Sequence, residues 1–246
     1  GRALDYLVID HMEPDHAAML KAVLLRWPGV QLVCNAKTVP MLKMYFPGED
    51  AVIDSALLVK EGDTLALGRH SLTFVMAPMV HWPEVMMAFE AATGTLFSAD
   101  AFGTFGALEG HLFADEVNFE RDWLPDARRY YANIVGKYGV PVQTVLKKAA
   151  GLNIKTIAPL HGPVWRKDLG WFIGKYDKWS RYEPEEQAVA ILYGSMYGNT
   201  ASAAQALAAK LAERGVQNVA VHDLSCMDVS EAVAEAEIKA VITNQD

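Results

Sequence analysis

The sequence is poor in cysteine, and it has neither a long apolar run nor a cluster of basic residues. Cys34 and Cys226 are its two cysteines and neither lies in a CxxC pair, which argues against a disulfide framework and against cysteine-ligated metal sites. No apolar stretch reaches the roughly 20 residues that a transmembrane helix needs. Lys and Arg are scattered and the net charge is −8, which disfavours nucleic acid and anionic membranes as partners. These absences predict a cytoplasmic protein that binds neither nucleic acid nor membranes.

The amino terminus has no signal peptide, because Gly1–Asp5 lacks the apolar core of one. It starts without Met, almost inside an apolar run, so we expect a piece cut from a longer protein. With 246 residues, 52% hydrophobic and 21% charged, the chain can bury a sizeable core as one large domain or two ordinary ones.

Hydrophobic patterning divides the chain into two α/β units, of which the first is predicted to cover residues 1–180. Its predicted strands are Leu4–Ile9, Gln31–Cys34, Ser55–Val59, Thr64–Leu67, Ser71–Met76, Val85–Phe89, Thr95–Ser98 and Ile154–Ala158. Its predicted helices are Met19–Trp27, Ala36–Tyr45, Asp126–Val135 and Val142–Ala150. The polar segment Tyr176–Gln187 is interpreted as a linker.

The second unit is predicted to cover residues 188–246, where the pattern restarts as strand, helix, strand, helix, strand. The predicted elements are Ala188–Tyr193, Thr200–Arg214, Asn218–His222, Ser230–Ala236 and Ile238–Thr243. Short connections between alternating strands and helices are typical of a parallel, doubly wound sheet.

Four potential metal ligands lie within six residues at the end of the first predicted strand, in the pattern His11-x-Glu13-x-Asp15-His16. Imidazole and carboxylate groups together suit zinc, iron or manganese. A charged turn before a helix, with Asp15 as its N-cap, is the structural alternative. Capping would leave His11 and Glu13 unexplained, so we favour a metal site.

Three further candidate ligands, His81, Asp100 and His161, also fall at or just past predicted strand ends. Ligands supplied along one edge of a β-sandwich would produce this pattern. An aspartate between two ions can bridge them with its two oxygens, and Asp100 is the candidate for that position. His70, His111 and His222 have no such partners nearby in sequence and are assigned to structure or surface.

A turn with hydroxyl and glycine residues separates strand Ala188–Tyr193 from the next helix. It consists of Ser195, Met196, Tyr197, Gly198, Asn199 and Thr200. Free backbone N–H groups and the helix dipole favour an anion at such a helix start. The alternative is an ordinary capped strand–helix turn. We expect the turn to hold a phosphate group.

The ligand pattern resembles that of the metallo-β-lactamase fold, and specifically its flavodiiron branch. Hydrolases of the fold carry HxHxDH, whereas this chain has Glu13 in the place of the second histidine. The contexts of the later ligands match too: His81-Trp82-Pro83-Glu84, Ser98 to Gly103, and Pro159 to Pro163. The phosphate turn is similar to the flavodoxin loop that holds FMN. The resemblance extends over essentially the whole chain.

The resemblance implies an αββα sandwich followed by a flavodoxin-like doubly wound sheet. It implies two irons. One would bind His11, Glu13 and His81; the other would bind Asp15, His161 and, least securely, His16, with Asp100 bridging. The first strands of the sandwich and the flavin-ring loops after Asp246 are expected to be missing. Expressed as it stands, the chain is then expected to hold FMN weakly.

Flavodiiron proteins reduce O2 to water, NO to N2O, or both, so the resemblance implies an oxidoreductase. Electrons would pass from a donor such as rubredoxin or another reductase through FMN to the irons. A head-to-tail homodimer or a tetramer is implied as well. No catalytic residue is assigned beyond the metal ligands. Either Tyr130 or Tyr131 could approach the irons, but core packing is the expected role of both, and Trp82 could wall the pocket or fill the core.

Three other functions remain open from the sequence. A dinuclear zinc hydrolase fused to a redox domain is the main alternative, and Glu13 argues against it because an additional anionic ligand favours a redox metal. A flavodoxin-like electron carrier would leave the HxExDH pattern unexplained. A catalytically inactive binding module is disfavoured because all seven ligand positions are filled.

Overall fold

Two β-sheets lie face to face in the first unit of the computed structural model, which describes residues 3–238 and 240–243. The smaller sheet has three parallel strands: β1 (Tyr6–Val8), β2 (Gln31–Cys34) and β3 (Leu57–Leu58). The larger sheet has five: β4 (Thr64–Leu67), β5 (His70–Met76), β6 (Met86–Glu90), β7 (Thr95–Phe97) and β8 (Thr156–Ala158). Its strands follow chain order and are antiparallel except for the parallel pair β7–β8.

Helices cover the outer face of each sheet. Against the smaller sheet pack α1 (Pro14–Ala17), α2 (Leu20–Arg26), α3 (Thr38–Tyr45) and α4 (Asp50–Asp54). Against the larger sheet pack α5 (Phe119–Asp122), α6 (Leu124–Tyr130), α7 (Gly139–Ala149) and α8 (Leu169–Ser180). Three apolar layers therefore lie between helices, sheet, sheet and helices, which is an αββα sandwich.

The burial of each strand explains its sequence. All five residues of β6 are buried and the first four are apolar, as expected of a strand that is covered on both faces. The edge strand β4 buries only Leu65. The sheet-to-sheet layer contains Phe74 and Met86, both fully buried, and Val33 from the smaller sheet. These apolar runs are the signals that locate the strands in the sequence.

The predicted linker Tyr176–Gln187 is wrong in its first part. Tyr176 and Trp179 are each 1% exposed and lie on α8, which continues to Ser180. Together with Phe172 they form one apolar helix face, while the polar residues between them face outward. The prediction began in the middle of this amphipathic helix and so missed its periodicity.

The segment between the two units is residues 181–188, and Glu185 attaches it to the sandwich. Its carboxylate receives both Nε (2.8 Å) and Nη2 (3.0 Å) of Arg128 and Nε1 of Trp179 (2.6 Å), and it pairs with Lys175. The Glu185 side chain is 5% exposed. Burial alone would raise the pKa of Glu185, but these donors lower it to about 2. The connection is thus fixed to α6 and α8.

The predicted helix Asp126–Val135 is two elements. The α-helix α6 ends at Tyr130, and a π-helical turn follows at Tyr131–Val135. Such wide turns in helices often occur at functional sites. This one directly follows a tyrosine that borders the site described below.

The second unit is a parallel sheet with the strand order β10-β9-β11. Its elements are β9 (Val189–Tyr193), α9 (Asn199–Glu213), β10 (Val219–Asp223), α10 (Val229–Ile238) and β11 (Ala240–Thr243). Placing the first strand in the centre is the order of flavodoxin-like sheets. Ser230 at the start of α10 accepts hydrogen bonds from Arg129 and Asn133 of the sandwich. Within the described ranges, no helix is both long and apolar enough to cross a bilayer.

Candidate functional site

The seven predicted metal ligands converge at one edge of the sandwich. His11 follows β1, Glu13 precedes α1, and Asp15 and His16 lie in α1; His81 lies between β5 and β6, Asp100 follows β7, and His161 follows β8. Their donor atoms form two groups, each with all atoms within 4.8 Å of one another. The first contains His11, Glu13, His81 and Asp100, and the second contains Asp15, His16 and His161.

The first group is the more deeply buried one. His81 Nε2 lies 3.0 Å from Glu13 Oε2 and 3.1 Å from Asp100 Oδ2. His11 Nε2 lies 3.3 Å from Glu13 Oε2 and 3.7 Å from Asp100 Oδ2. The side chain of His11 is fully buried and that of His81 is 10% exposed.

The second group lies nearer to solvent. His16 Nε2 is 3.1 Å from His161 Nε2, and Asp15 Oδ2 is 3.5 Å from the former and 3.3 Å from the latter. The side chains of Asp15 and His161 are 50% and 32% exposed. A small molecule can therefore approach this group from outside.

Asp100 lies between the two groups, and each of its oxygens faces a different one. Oδ2 faces His81 and His11 of the first group. Oδ1 lies 3.2 Å from His16 Nε2 and 3.8 Å from His161 Nε2. The side chain is 1% exposed. This is the position that a bridging carboxylate would take between two ions.

The spacing and chemistry of these atoms fit two metal ions. Ligand atoms about 2.1 Å from one ion lie about 3.0 to 3.4 Å apart in octahedral and tetrahedral arrangements, and most contacts within each group are close to that range. His16 Nε2 and His161 Nε2 lie 3.1 Å apart, a distance that suits a hydrogen bond between the two rings or a cation that both bind. Among the described residues, Asp100 Oδ1 has no hydrogen bond of good geometry although it is buried. A cation would satisfy it.

Charges around the site shift several pKa values. Burial would raise the pKa of Asp100, but the close His16 and His81 rings hold it well below its usual range. The close Asp100 carboxylate in turn raises the pKa of His16. Burial would lower the pKa of His81, yet Asp100 and Glu13 raise it overall. Asp100 is thus ionised, as a bridging ligand must be.

Glu84 is a site residue that the sequence analysis quoted only as part of a matching context. Its Oε1 lies 2.8 Å from His11 Nδ1 and accepts the backbone N–H of Met12 at 3.0 Å. Burial would raise the pKa of Glu84, but the His11 contact and backbone donors lower it. Its separation of 73 residues from His11 explains why no local pattern revealed the pair.

Tyr130 and Tyr131 have different surroundings. Tyr131 packs against Tyr176 and Trp179, as expected for a core residue. The ring of Tyr130 lies 5.6 Å from that of His161, and burial together with the charge of Asp100 raises its pKa well above the usual range. The Tyr130 hydroxyl is buried and lies near the Asp100 carboxylate, which contributes to this shift. It is therefore a neutral donor at the edge of the second group.

Two sequence alternatives at the site can be compared with the geometry. Asp15 does not cap α1, because Glu13 occupies the N-cap position and makes no side-chain cap hydrogen bond. The Trp82 ring lies 5.2 Å from the His11 ring and 6.0 Å from the His81 ring. It therefore walls the first group as well as packing against the core.

Two glycines allow the ligand loops to approach closely. A Cβ on Gly162, whose φ is +78°, would lie 2.2 Å from Thr104 Cγ2. A Cβ on Gly103 would lie 2.9 Å from the Tyr130 ring. Gly162 follows His161, and Gly103 lies in the loop that carries Asp100. No side chain fits between these loops without moving one of them.

The predicted phosphate turn lies between β9 and α9. Gly198 is the N-cap of α9 with φ +85°, and its N–H donates to Ser195 Oγ at 3.0 Å. Met196 and Tyr197 are each 87% exposed, while Asn199 and Thr200 begin the helix. The helix start is thus open to an anion, since the first N–H groups of a helix have no partner within it.

Family models match both units of the chain. The ODP family beta lactamase model matches residues 1–162, and the flavodoxin model matches residues 191–245. The chain is 35% identical over 234 residues to a nitric oxide reductase of Moorella thermoacetica, covering 94% of the chain and 57% of the relative. It is 34% identical to an anaerobic nitric oxide reductase flavorubredoxin of Aeromonas hydrophila, covering 89% and 45%. The chain therefore spans about half the length of these relatives.

Solved structures with the same architecture cover nearly the whole chain. Rubredoxin oxygen:oxidoreductase from Desulfovibrio gigas superposes with a TM-score of 0.89 at 29% identity, over 97% of this chain and 59% of that one. The flavodiiron protein from Giardia intestinalis gives a TM-score of 0.84 at 29% identity, over 94% and 55%. Sequence and structural comparisons thus lead to the same group of proteins.

Proposed function

The chain belongs to the ODP beta-lactamase family, in the branch of the flavodiiron proteins, and from this premise we propose that it reduces O2 to water, NO to N2O, or both, at two non-haem irons supplied through FMN. One matching relative is named a nitric oxide reductase and one matching structure a rubredoxin oxygen:oxidoreductase. We therefore propose both gases as candidate substrates. Two ferrous ions and one reduced flavin supply four electrons, the number that O2 reduction to water requires.

The observation that carries the proposal is the division of the Asp100 carboxylate between the two groups. Oδ2 faces His11 and His81, and Oδ1 faces His16 and His161. We assign His11, Glu13 and His81 to one iron, Asp15, His16 and His161 to the other, and the bridge to Asp100. His16 is included because its ring nitrogen faces both Asp100 and His161.

Glu13 supports iron rather than zinc. With Asp15 and Asp100 it makes three carboxylates in the two groups. Anionic oxygen ligands stabilise the higher oxidation states of a redox metal, which a zinc hydrolase does not need. The names of the relatives favour a reductase over a hydrolase as well.

The residues of the chain have separate tasks in this proposal. The exposed second group receives the gas, with the neutral Tyr130 hydroxyl beside it as a hydrogen-bond donor. Ser195–Thr200 holds the FMN phosphate at the start of α9. We propose a metal-binding unit that ends with α8 at Ser180 and a flavin-binding unit that starts at residue 188. A protein donor such as rubredoxin, and a head-to-tail dimer or tetramer, are proposed from the family resemblance.

The test is a joint measurement on one purified sample. The protein is loaded anaerobically with Fe(II) and FMN, and iron, zinc and flavin are quantified. NO consumption without O2, and O2 consumption separately, are then followed with a chemical reductant. Two irons per chain with consumption of either gas would support the proposal. Two zinc ions, resistance to iron loading and no gas consumption would favour the hydrolase instead.

A further inference from the structure

We propose that Glu84 is a positioning residue that fixes the tautomer and orientation of His11 as a metal ligand; this inference rests on the proposed metal centre. Glu84 Oε1 lies 2.8 Å from His11 Nδ1, and both side chains are fully buried. With solvent excluded, Nδ1 of His11 depends on Glu84 for its hydrogen bond. The pair is therefore rigid.

The contact determines which ring nitrogen carries the proton. A carboxylate only accepts hydrogen bonds, so Nδ1 of His11 must donate to it. In a neutral ring Nε2 is then left with its lone pair. That lone pair faces Glu13 Oε2 at 3.3 Å and Asp100 Oδ2 at 3.7 Å. Glu84 thus leaves the nitrogen that faces the first group free to bind a cation.

Glu84 also joins three strand ends. Its Oε1 accepts the N–H of Met12, which follows β1, and its backbone oxygen accepts Asn35 Nδ2 at 2.5 Å, just after β2. Glu84 itself lies between β5 and β6, three residues after His81. Glu84 therefore connects the loop with His81 to the segment with His11 through these hydrogen bonds.

Of the four histidines in the two ligand groups, His11 differs from the others in having a carboxylate at Nδ1. Within the described residues, His16, His81 and His161 approach carboxylates through Nε2 alone, and no carboxylate lies at their Nδ1. Loss of Glu84 should therefore weaken one of the two metal positions. A general loss of folding would affect both.

Metal titration of matched variants tests this role. Apo-protein is titrated anaerobically with Fe(II), comparing the wild type, Glu84→Gln and Glu90→Gln. Glu90 offers the control because it is also buried and also contacts a histidine, His70 Nδ1 at 3.1 Å, outside both ligand groups. We expect Glu84→Gln to weaken one Fe(II) site about 10–100-fold and leave the other, and Glu90→Gln to change neither. Two sites within twofold of wild type in Glu84→Gln would overturn the inference.

A second measurement does not depend on the variant folding. Nitrogen NMR of the wild-type apo-protein, labelled at histidine, reports which nitrogen of His11 is protonated. We expect Nδ1 to carry a proton, and a ring protonated on Nε2 alone would contradict the inference. Failure of the proposed function has a different signature: the wild type would bind metal, with His11 protonated on Nδ1, and still consume neither gas.

Discussion

Replacing Glu185 with glutamine should destabilise the sandwich unit without touching the metal groups. The substitution keeps the shape of the side chain but removes its charge. The carboxylate is 5% exposed and is held by Arg128, Lys175 and Trp179. Removing one partner of a buried ion pair leaves the others desolvated and unpaired, which is the costly case.

The pKa of Glu185 sets the size of the effect. Folding lowers it from 4.5 to about 2, and each tenfold change in proton affinity corresponds to about 1.4 kcal/mol. The ionised group would then contribute about 3 kcal/mol. Arg128 and Lys175 are 19% and 22% exposed, and the solvent that reaches them reduces our expectation to about 2 kcal/mol.

The pH dependence has a defined sign. Because the folded pKa is the lower one, the contribution is fully present above about pH 4.5 and is lost as the pH falls towards 2. The difference in unfolding free energy between wild type and Glu185→Gln should therefore be about 1 kcal/mol smaller at pH 3.5 than at pH 7.

Urea unfolding followed by tryptophan fluorescence measures this difference. All six tryptophans belong to the sandwich unit, so the signal reports on it alone: Trp27, Trp82, Trp123, Trp165, Trp171 and Trp179. Glu186→Gln is the matched control, because Glu186 is the exposed neighbour, and it should change the unfolding free energy by less than about 0.5 kcal/mol. A Glu185→Gln effect no larger than this control at pH 7 would refute the reasoning.

Three further predictions concern the site. Asp100→Ala should lose the bridge and most of the metal from both groups, and two tightly bound irons in that variant would show the bridging assignment to be wrong. Glu13→His should shift metal preference towards zinc and abolish gas reduction, because one anionic ligand is lost; unchanged iron content and O2 consumption would count against the charge argument. Thr200→Val should weaken FMN binding about tenfold by fluorescence titration with metal content unchanged, since it removes one hydrogen bond to an anion. Equal FMN affinity would place the phosphate elsewhere.

The sequence was sufficient to locate the strands that deliver the ligands. The predicted strand Thr95–Ser98 differs from β7, which delivers Asp100, by one residue at its end, and the predicted strand Ile154–Ala158 contains β8, which delivers His161, because short apolar runs between turn residues are visible locally. The candidate ligands are then identified by their position, because they lie at or just past the ends of predicted strands. The αββα fold came from the resemblance of the ligand pattern to a known family.

Local sequence could not supply contacts between distant segments. Nothing near Glu84 signals a histidine 73 residues earlier, and nothing near Glu185 signals Arg128, 57 residues away. The sequence analysis predicts no helix at α8 and assigns its part from Tyr176 onward to a linker, because the apolar face shows a helical period only together with the residues before it. The short helices α4 and α5 were not predicted for a similar reason, as one helical turn has little periodicity.

Gly162 has a consequence for how this centre could change over evolution. An added methyl group there would come more than an ångström closer to Thr104 than an ordinary contact allows, in a backbone conformation that side chains rarely adopt. The loop with His161 would have to retreat from the loop with Asp100, and a metal count on Gly162→Ala should fall towards one ion per chain. Gly162 would thus determine how many ions the site holds, although it is not a ligand itself. One substitution at a residue that is not a ligand would then change the number of bound ions while every ligand stays in the sequence.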